Sequence, residues 1–100
     1  MFREEICFEW DEVKDLINRN KHGISFREAS SVFWDEDAVL FDDPFHSMDE
    51  ERFLIVGMSR SLRLLTVVHC VREESSTIRI ISARKASAQE TKSYTKRKRR

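Results

Sequence analysis

Apolar and polar side chains alternate first at Ile6, Cys7, Phe8, Glu9 and Trp10. Ile6, Phe8 and Trp10 share one side, a period of two that predicts a short strand. Asp11 is placed to cap a helix, with Glu12 near the positive end of its dipole. Along that helix Val13, Leu16 and Ile17, with Asn20 beside them, fall on one side at helical spacing. Lys14, Asn18, Lys21 and His22 fall on the adjoining side. Gly23 supplies the left-handed residue that stops the helix. Ser25-Phe26-Arg27-Glu28 reads as a capping box, in which Ser25 and Glu28 satisfy reciprocal backbone donors. The helix it opens turns Phe26, Ala29, Val32 and Phe33 inward and ends near Trp34. So short a connection predicts a tight helical hairpin.

Beyond Trp34 the period returns to two. Strands are expected over Ala38–Phe41, Arg52–Val56, Arg63–Val71 and Thr77–Ala83. They are separated by Asp42-Asp43-Pro44, by Gly57-Met58-Ser59-Arg60-Ser61 and by Glu73-Glu74-Ser75-Ser76. Connections this short favour an antiparallel meander. Ser87-Ala88-Gln89-Glu90 is a second capping box, opening a final helix through about Tyr94. The run Lys96-Arg97-Lys98-Arg99-Arg100 is expected to fray. The chain therefore reads as an α+β fold in the order β-α-α-β-β-β-β-α, one domain over 1–95 with a basic tail at 96–100.

Composition narrows the function classes. The 100 residues are 40% hydrophobic and 36% charged, enough for one core under a highly charged surface. No apolar run approaches the ~20 residues of a membrane span, and the start lacks a signal-peptide core, so a cytoplasmic protein without membrane association is expected. Cys7 and Cys70 fit reduced, semi-buried thiols. The net charge of zero conceals a split. Residues 1–59 hold 6 basic and 15 acidic side chains, a net of −9, whereas residues 60–100 hold 12 and 3, a net of +9. That asymmetry suggests a basic face for polyanions, or two halves that merely attract one another.

Several chemistries find no support. Cys7, Cys70, His22, His46 and His69 lack metal-ligand spacing, no Gly-x-Ser-x-Gly elbow exists, and two glycines cannot build a nucleotide-binding loop. No metal or other cofactor is implied. His22, beside Lys21 at a helix end, is placed either to exchange protons near neutral pH or simply to cap the helix dipole. His69 lies in an apolar strand and reads as a packing residue, and His46 as surface or the rim of a site. Arg79 and Arg84 could fork onto a phosphate, although Arg79 equally suits a solvated sheet face. Arg63 adds to the same patch from a neighbouring strand. Tyr94 either stacks on a base or fastens the last helix to the sheet.

These residues carry a resemblance. Phe8-Glu9-Trp10-Asp11 with Lys14, then Asn18-x-x-Lys21-His22-Gly23 and Phe26, resemble the BrnT family of toxins from bacterial type II toxin–antitoxin systems. The likeness continues through Asp43-Pro44, His46, Glu51-Arg52-Phe53, Gly57 and Arg63-Leu64-Leu65. It closes with Arg79-Ile80-Ile81-Ser82-Ala83-Arg84, Glu90 and Tyr94. The resemblance implies a RelE-like fold, RNA cleavage that arrests translation, and a cognate BrnA-type antitoxin whose complex binds promoter DNA through the antitoxin. The family's basic and polar positions match here as Lys21, His22, Arg63, Arg79 and Arg84. Leu62 stands where the family often has glycine, which predicts a reshaped turn, and Cys70 where a hydroxyl residue is common.

The expected activity is that of a metal-independent endoribonuclease in which the RNA 2′-hydroxyl attacks the adjacent phosphate. Such chemistry needs a proton acceptor, a donor for the leaving oxygen and cations on the developing charge. His22 would exchange the proton. Lys21 would do so only if its ammonium were made to release one, and otherwise stabilises charge. Arg79 and Arg84 would hold the phosphate, with Arg63 and Tyr94 contacting the strand. The alternatives are a noncatalytic nucleic-acid-binding module and a partner-docking module using the same basic face.

Overall fold

The computed structural model of the chain describes residues 6–44, 51–72 and 76–99. His46, the turn residues Glu73 to Ser75 and Arg100 lie outside them. The elements are β1 (Cys7–Glu9), α1 (Glu12–His22), α2 (Phe26–Ser30) with a 3-10 turn over Ser31–Trp34, β2 (Val39–Asp42), β3 (Phe53–Met58), β4 (Leu64–Arg72), β5 (Thr77–Lys85) and α3 (Ala88–Lys98). The order is the expected one. Gly57 and Met58 belong to β3 rather than to the connection after it. At Gly57 a Cβ would stand 2.9 Å from Val32 Cγ1, too close for any side chain.

The sheet runs β1-β5-β4-β3-β2. β2 through β5 form the antiparallel meander that their short connections dictate. β1 departs from it and pairs parallel with β5, Cys7 opposite Thr77 and Glu9 opposite Arg79. α1 and α2 carry the chain from β1 at one edge of the sheet to β2 at the other, and the meander then returns β5 to the side of β1. They cover one face, where Ile24, Phe26, Ala29, Val32 and Phe33 pack on Ile55, Leu65, Val67, Ile78, Ile80 and Ala83. α3 lies on the other face, where Thr66 donates its hydroxyl proton to Glu90 (2.7 Å).

A bulge between Val68 and His69 breaks the register against β5, leaving Ile81 unmatched between Ile80 and Ser82. The extra residue shifts the alternation by one. Ile78, Ile80 and Ala83 therefore all face the core, and Arg84 emerges on the same face as Arg79 instead of following Ile80 inward.

α1 is oriented against its apolar pattern. Val13, Leu16 and Ile17 are 66%, 51% and 56% exposed, while Asp15 and Asn18 are buried. The irregular turn after the helix explains the inversion, because its buried backbone groups need partners. Asp15 Oδ1 accepts the Phe26 N–H (2.8 Å), and Asn18 Nδ2 donates to the Ile24 carbonyl (2.8 Å). Helix ends follow the same accounting. The Ser87–Glu90 box is complete. At Ser25 only half of the expected box forms, since Ser25 accepts the Glu28 N–H (3.0 Å) but the Glu28 carboxylate is engaged elsewhere. α3 continues to Lys98 rather than stopping at Tyr94, with the Lys98 ammonium 5.8 Å from the Tyr94 ring centroid and its cations favourably placed at the helix C-terminus.

Candidate functional site

The site grows from the end of α1. Gly23 adopts a left-handed φ of 71° and donates its N–H to the Arg19 carbonyl, closing the helix immediately after Lys21 and His22. Both side chains are exposed there, and neither has a side-chain partner among the described residues. Two clamps fix the turn that carries them. Asn18 donates to the Ala83 carbonyl (3.0 Å) and accepts the Ala83 N–H (3.2 Å), joining α1 to β5. Arg63, immediately before β4, donates from Nη2 to the Gly23 carbonyl (3.0 Å). The two sequence landmarks, 18–23 and 78–84, thus meet at one end of the sheet.

Arg63 is itself held. Its Nε and Nη2 fork onto the Glu28 carboxylate, and Ser59 donates its hydroxyl proton to Glu28 Oε2 (2.6 Å). The Arg63 hydrogen bond, against the opposing effect of burial, keeps the Glu28 carboxyl below its ordinary range. Glu28 is therefore a fixed anion that positions Arg63, and Arg63 in turn caps the carbonyl end of the Lys21–His22 helix. The turn leading to Arg63 keeps a left-handed residue: Leu62 has φ 63°, the backbone that glycine suits, so the leucine takes the strained conformation and the turn is not rebuilt to avoid it.

The other expected site residues are distributed differently. Arg84 lies at the same end of the sheet but on the α3 face, forked onto Glu90 at 2.8 and 3.0 Å. That hydrogen bond chiefly holds the Glu90 carboxyl down at about 2, helped by Ser87 and Thr66. Arg79 shares the face but pairs with Glu9 (3.0 Å), to which Arg72 also donates (3.1 Å). Arg84 stands opposite Thr66 and Arg79 opposite Cys70, four residues along β4, a separation of roughly 13 Å. Tyr94 is buried, and its hydroxyl donates to Asp35 (2.7 Å). Burial and that carboxylate push the hydroxyl above its ordinary range, so it remains a donor. Of the two roles open to Tyr94, this contact is the fastening of α3. His69 is buried beside Phe33, ring centroids 4.7 Å apart, and desolvation lowers it to about 4, a packing histidine.

Three residues that the sequence did not single out belong to the same end. Arg27 and Arg60 flank a recess of about 240 Å³ lined also by Ser25, Glu28 and Ser61. Lys85 ends β5 opposite Leu65 and is exposed. No local signal marks the recess, because Glu28 reads as a capping-box residue and only in the fold serves Arg63, drawing the Arg60–Arg63 turn onto α2. A larger hollow of about 1140 Å³ is mostly apolar, lined among others by Phe33, Trp34, Leu40, Phe53 and Val71, and none of the site residues borders it. Among the described residues no three His, Cys, Asp or Glu side chains group as a ligand set for a metal ion, and no helix is long and apolar enough to cross a membrane.

What this end of the molecule offers is an imidazole and an ammonium presented together beside an anchored guanidinium, a set suited to a phosphodiester. Known proteins point the same way. The crystal structure of the Brucella abortus ribonuclease toxin BrnT, determined at 1.1 Å, superposes with a TM-score of 0.59 at 26% identity, covering 82% of this chain and 96% of that one. No curated protein matches the chain. The family described as the ribonuclease toxin BrnT of type II toxin–antitoxin systems matches residues 10–90. With four-fifths of its length matched and the same α+β architecture, the chain belongs to the BrnT family of ribonuclease toxins.

Proposed function

We propose that this toxin is a metal-independent endoribonuclease whose chemistry is centred on the Lys21–His22 turn. Membership of a type II toxin family brings an RNA substrate and an antitoxin partner. In the proposed reaction His22 takes the proton of the 2′-hydroxyl as its oxygen bonds to the adjacent phosphorus, and the P–O5′ bond breaks, leaving a 2′,3′-cyclic phosphate and a 5′-oxygen to which His22 returns the proton. Lys21 and the Arg63 guanidinium face the charge that develops on the phosphorane. Arg84, at the same end of the sheet, extends the cationic surface once phosphate displaces Glu90, whereas Arg79 stands further along and contacts a more distant part of the strand. A BrnA-type antitoxin neutralises the activity and carries the complex to promoter DNA. The toxin acts in the cytoplasm.

The observation that carries this reading is the presentation of Lys21 and His22, exposed and without side-chain partners among the described residues, on a turn locked by Asn18 and Arg63. Unpaired donors on a rigid support are what positional catalysis requires. The test is cleavage of total RNA by the purified chain in EDTA, beside His22→Ala and an all-deoxy oligonucleotide. Cleavage of RNA by the native chain, with His22→Ala folded but inactive and the deoxy strand bound intact, is the expected result. Loss of activity in EDTA, or cutting of the deoxy strand, would overturn the mechanism. RNA binding without products, even with ribosomes added, would instead identify a noncatalytic binding module.

A further inference from the structure

We infer that the recess between Arg27 and Arg60 is a phosphate-binding subsite that grips the RNA strand beside the Lys21–His22 turn. The inference rests on the ribonuclease reading for the identity of the strand, while the site itself rests on charge pairing. Arg19, Arg63, Arg72, Arg79 and Arg84 each have a carboxylate, respectively Asp15, Glu28, Glu9, Glu9 and Glu90. Arg27 and Arg60 have none among the described residues, although they line one small cavity together.

The carboxylate in that cavity does not neutralise them. Glu28 Oε1 accepts from Arg63, and Oε2 accepts from both Arg63 and Ser59. Its charge is matched by Arg63, so among the described residues Arg27 and Arg60 remain without a carboxylate of their own.

The backbone beneath them is fixed even though neither guanidinium group has a partner among the described residues. The Arg60 N–H donates to Ser31 Oγ (2.8 Å), and Ser31 donates in turn to the Glu28 carbonyl (2.6 Å). Ser59 N–H to the Arg63 carbonyl (2.8 Å) and Leu62 N–H to the Ser59 carbonyl (2.9 Å) close the turn that carries Arg60. Ser25 and Ser61 add hydroxyls to the lining, and among the described residues no apolar side chain borders the recess. A wall of guanidinium and hydroxyl donors suits a phosphate, which accepts from forked N–H pairs, and offers nothing to an apolar anchor of a protein partner. Arg63 joins this recess to the catalytic turn, since it touches both Glu28 and the Gly23 carbonyl. A strand entering at His22 therefore meets Arg27 and Arg60 next.

The test uses 2′-O-methyl RNA, which lacks the attacking hydroxyl and stays intact, with binding followed by fluorescence anisotropy over a salt series. The Arg27→Ala/Arg60→Ala double variant is compared with the native chain, and a thermal melt verifies its fold. The plot of log affinity against log salt should become shallower by about 0.7 for each phosphate that is no longer neutralised, with weaker binding throughout. An unchanged slope and affinity in the folded double variant, or no binding by the native chain, would overturn the subsite. A reduced slope in a protein that cuts no RNA would uphold the subsite and sink the ribonuclease reading. Normal cleavage with an unchanged slope would do the reverse.

Discussion

Asn18 bonds both backbone groups of Ala83 across 65 residues of chain, its Nδ2 giving to the carbonyl and its Oδ1 taking the amide. The same amide nitrogen also satisfies Ile24. One buried side chain thus holds the end of α1, the turn that follows it and β5 in a single arrangement.

Replacing that side chain with an isosteric apolar one removes every partner at once. Asn18→Leu should destabilise the fold by roughly 2–4 kcal/mol, because buried groups of Ala83 and Ile24 are left without hydrogen bonds. A thermal melt should drop on the order of 10–20 °C. A melt within a few degrees of the native chain would show that water or a backbone shift replaces the clamp.

Acid sensitivity should trace to His69. Its pKa is lowered from 6.5 to about 4, first by desolvation, with the Val67 carbonyl opposing. The unfolded chain therefore binds the extra proton between those values, and stability present above pH 6.5 is lost as pH falls towards 4. Between pH 7 and 5 the loss should reach about 2 kcal/mol. His69→Phe, between Phe33 and Phe53, should flatten that slope in urea titrations. Below pH 4.5 a second decline remains in both proteins, as Glu90 is protonated on the way to its folded value of about 2. An equal slope in variant and native chain over pH 7 to 5 would exclude His69 as the cause.

Leu62 is expected to yield stability when it is made smaller. Its φ of 63° is disfavoured for any residue with a Cβ, and the side chain is exposed and packs on little. Relief of the left-handed strain exceeds the entropy glycine adds to the unfolded chain, so Leu62→Gly should stabilise by about 0.5–1 kcal/mol. The urea midpoint would rise at constant slope. A fall would mean that the leucine makes a contact worth more than the strain.

Arg79 and Arg84 should separate in function. Arg79→Ala leaves Glu9 with Arg72, so its cost to stability is on the order of 0.5 kcal/mol, and cleavage of RNA should stay within a few-fold of native. Arg84→Ala strips Glu90 of its cation on the α3 face at that end of the sheet and should lower both the melting temperature and the cleavage rate. Single-turnover cleavage at equal folded concentration decides the matter. Abolition of activity in a folded Arg79→Ala protein would move the phosphate site along the sheet.

Much of this architecture was legible in the residues. The change from helical to alternating period at Trp34, and the return at Ser87, gave the element order because the period marks the type of each element even where, as in α1, the apolar face is not the buried one. The orientation of α1 was not legible, since Val13, Leu16 and Ile17 outnumber Asp15 and Asn18, yet the polar pair wins by supplying partners to Phe26, Ile24 and Ala83. Those partners are tertiary and leave no periodic trace. The same holds for Glu28, whose spacing from Ser25 reads as a cap although its carboxylate serves Arg63. The bulge at Ile81 was equally silent, and it decides which face Arg84 occupies. The Lys21–His22 turn could be found because a glycine stops a helix locally. Arg27 and Arg60 could not, because their recess exists only once Arg63 crosses to α2.

The parallel pairing of β1 with β5 also sets a timetable. Cys7 and Thr77 are neighbours in the sheet but 70 residues apart in the chain. At a synthesis rate of ~5–20 residues per second, the first strand waits several seconds for its partner to emerge. Through that interval Asn18 has no Ala83 to hold, and after it the ends of a long loop must still meet. The turn bearing His22 is therefore locked in place only after β5 has emerged, when the strand order is complete.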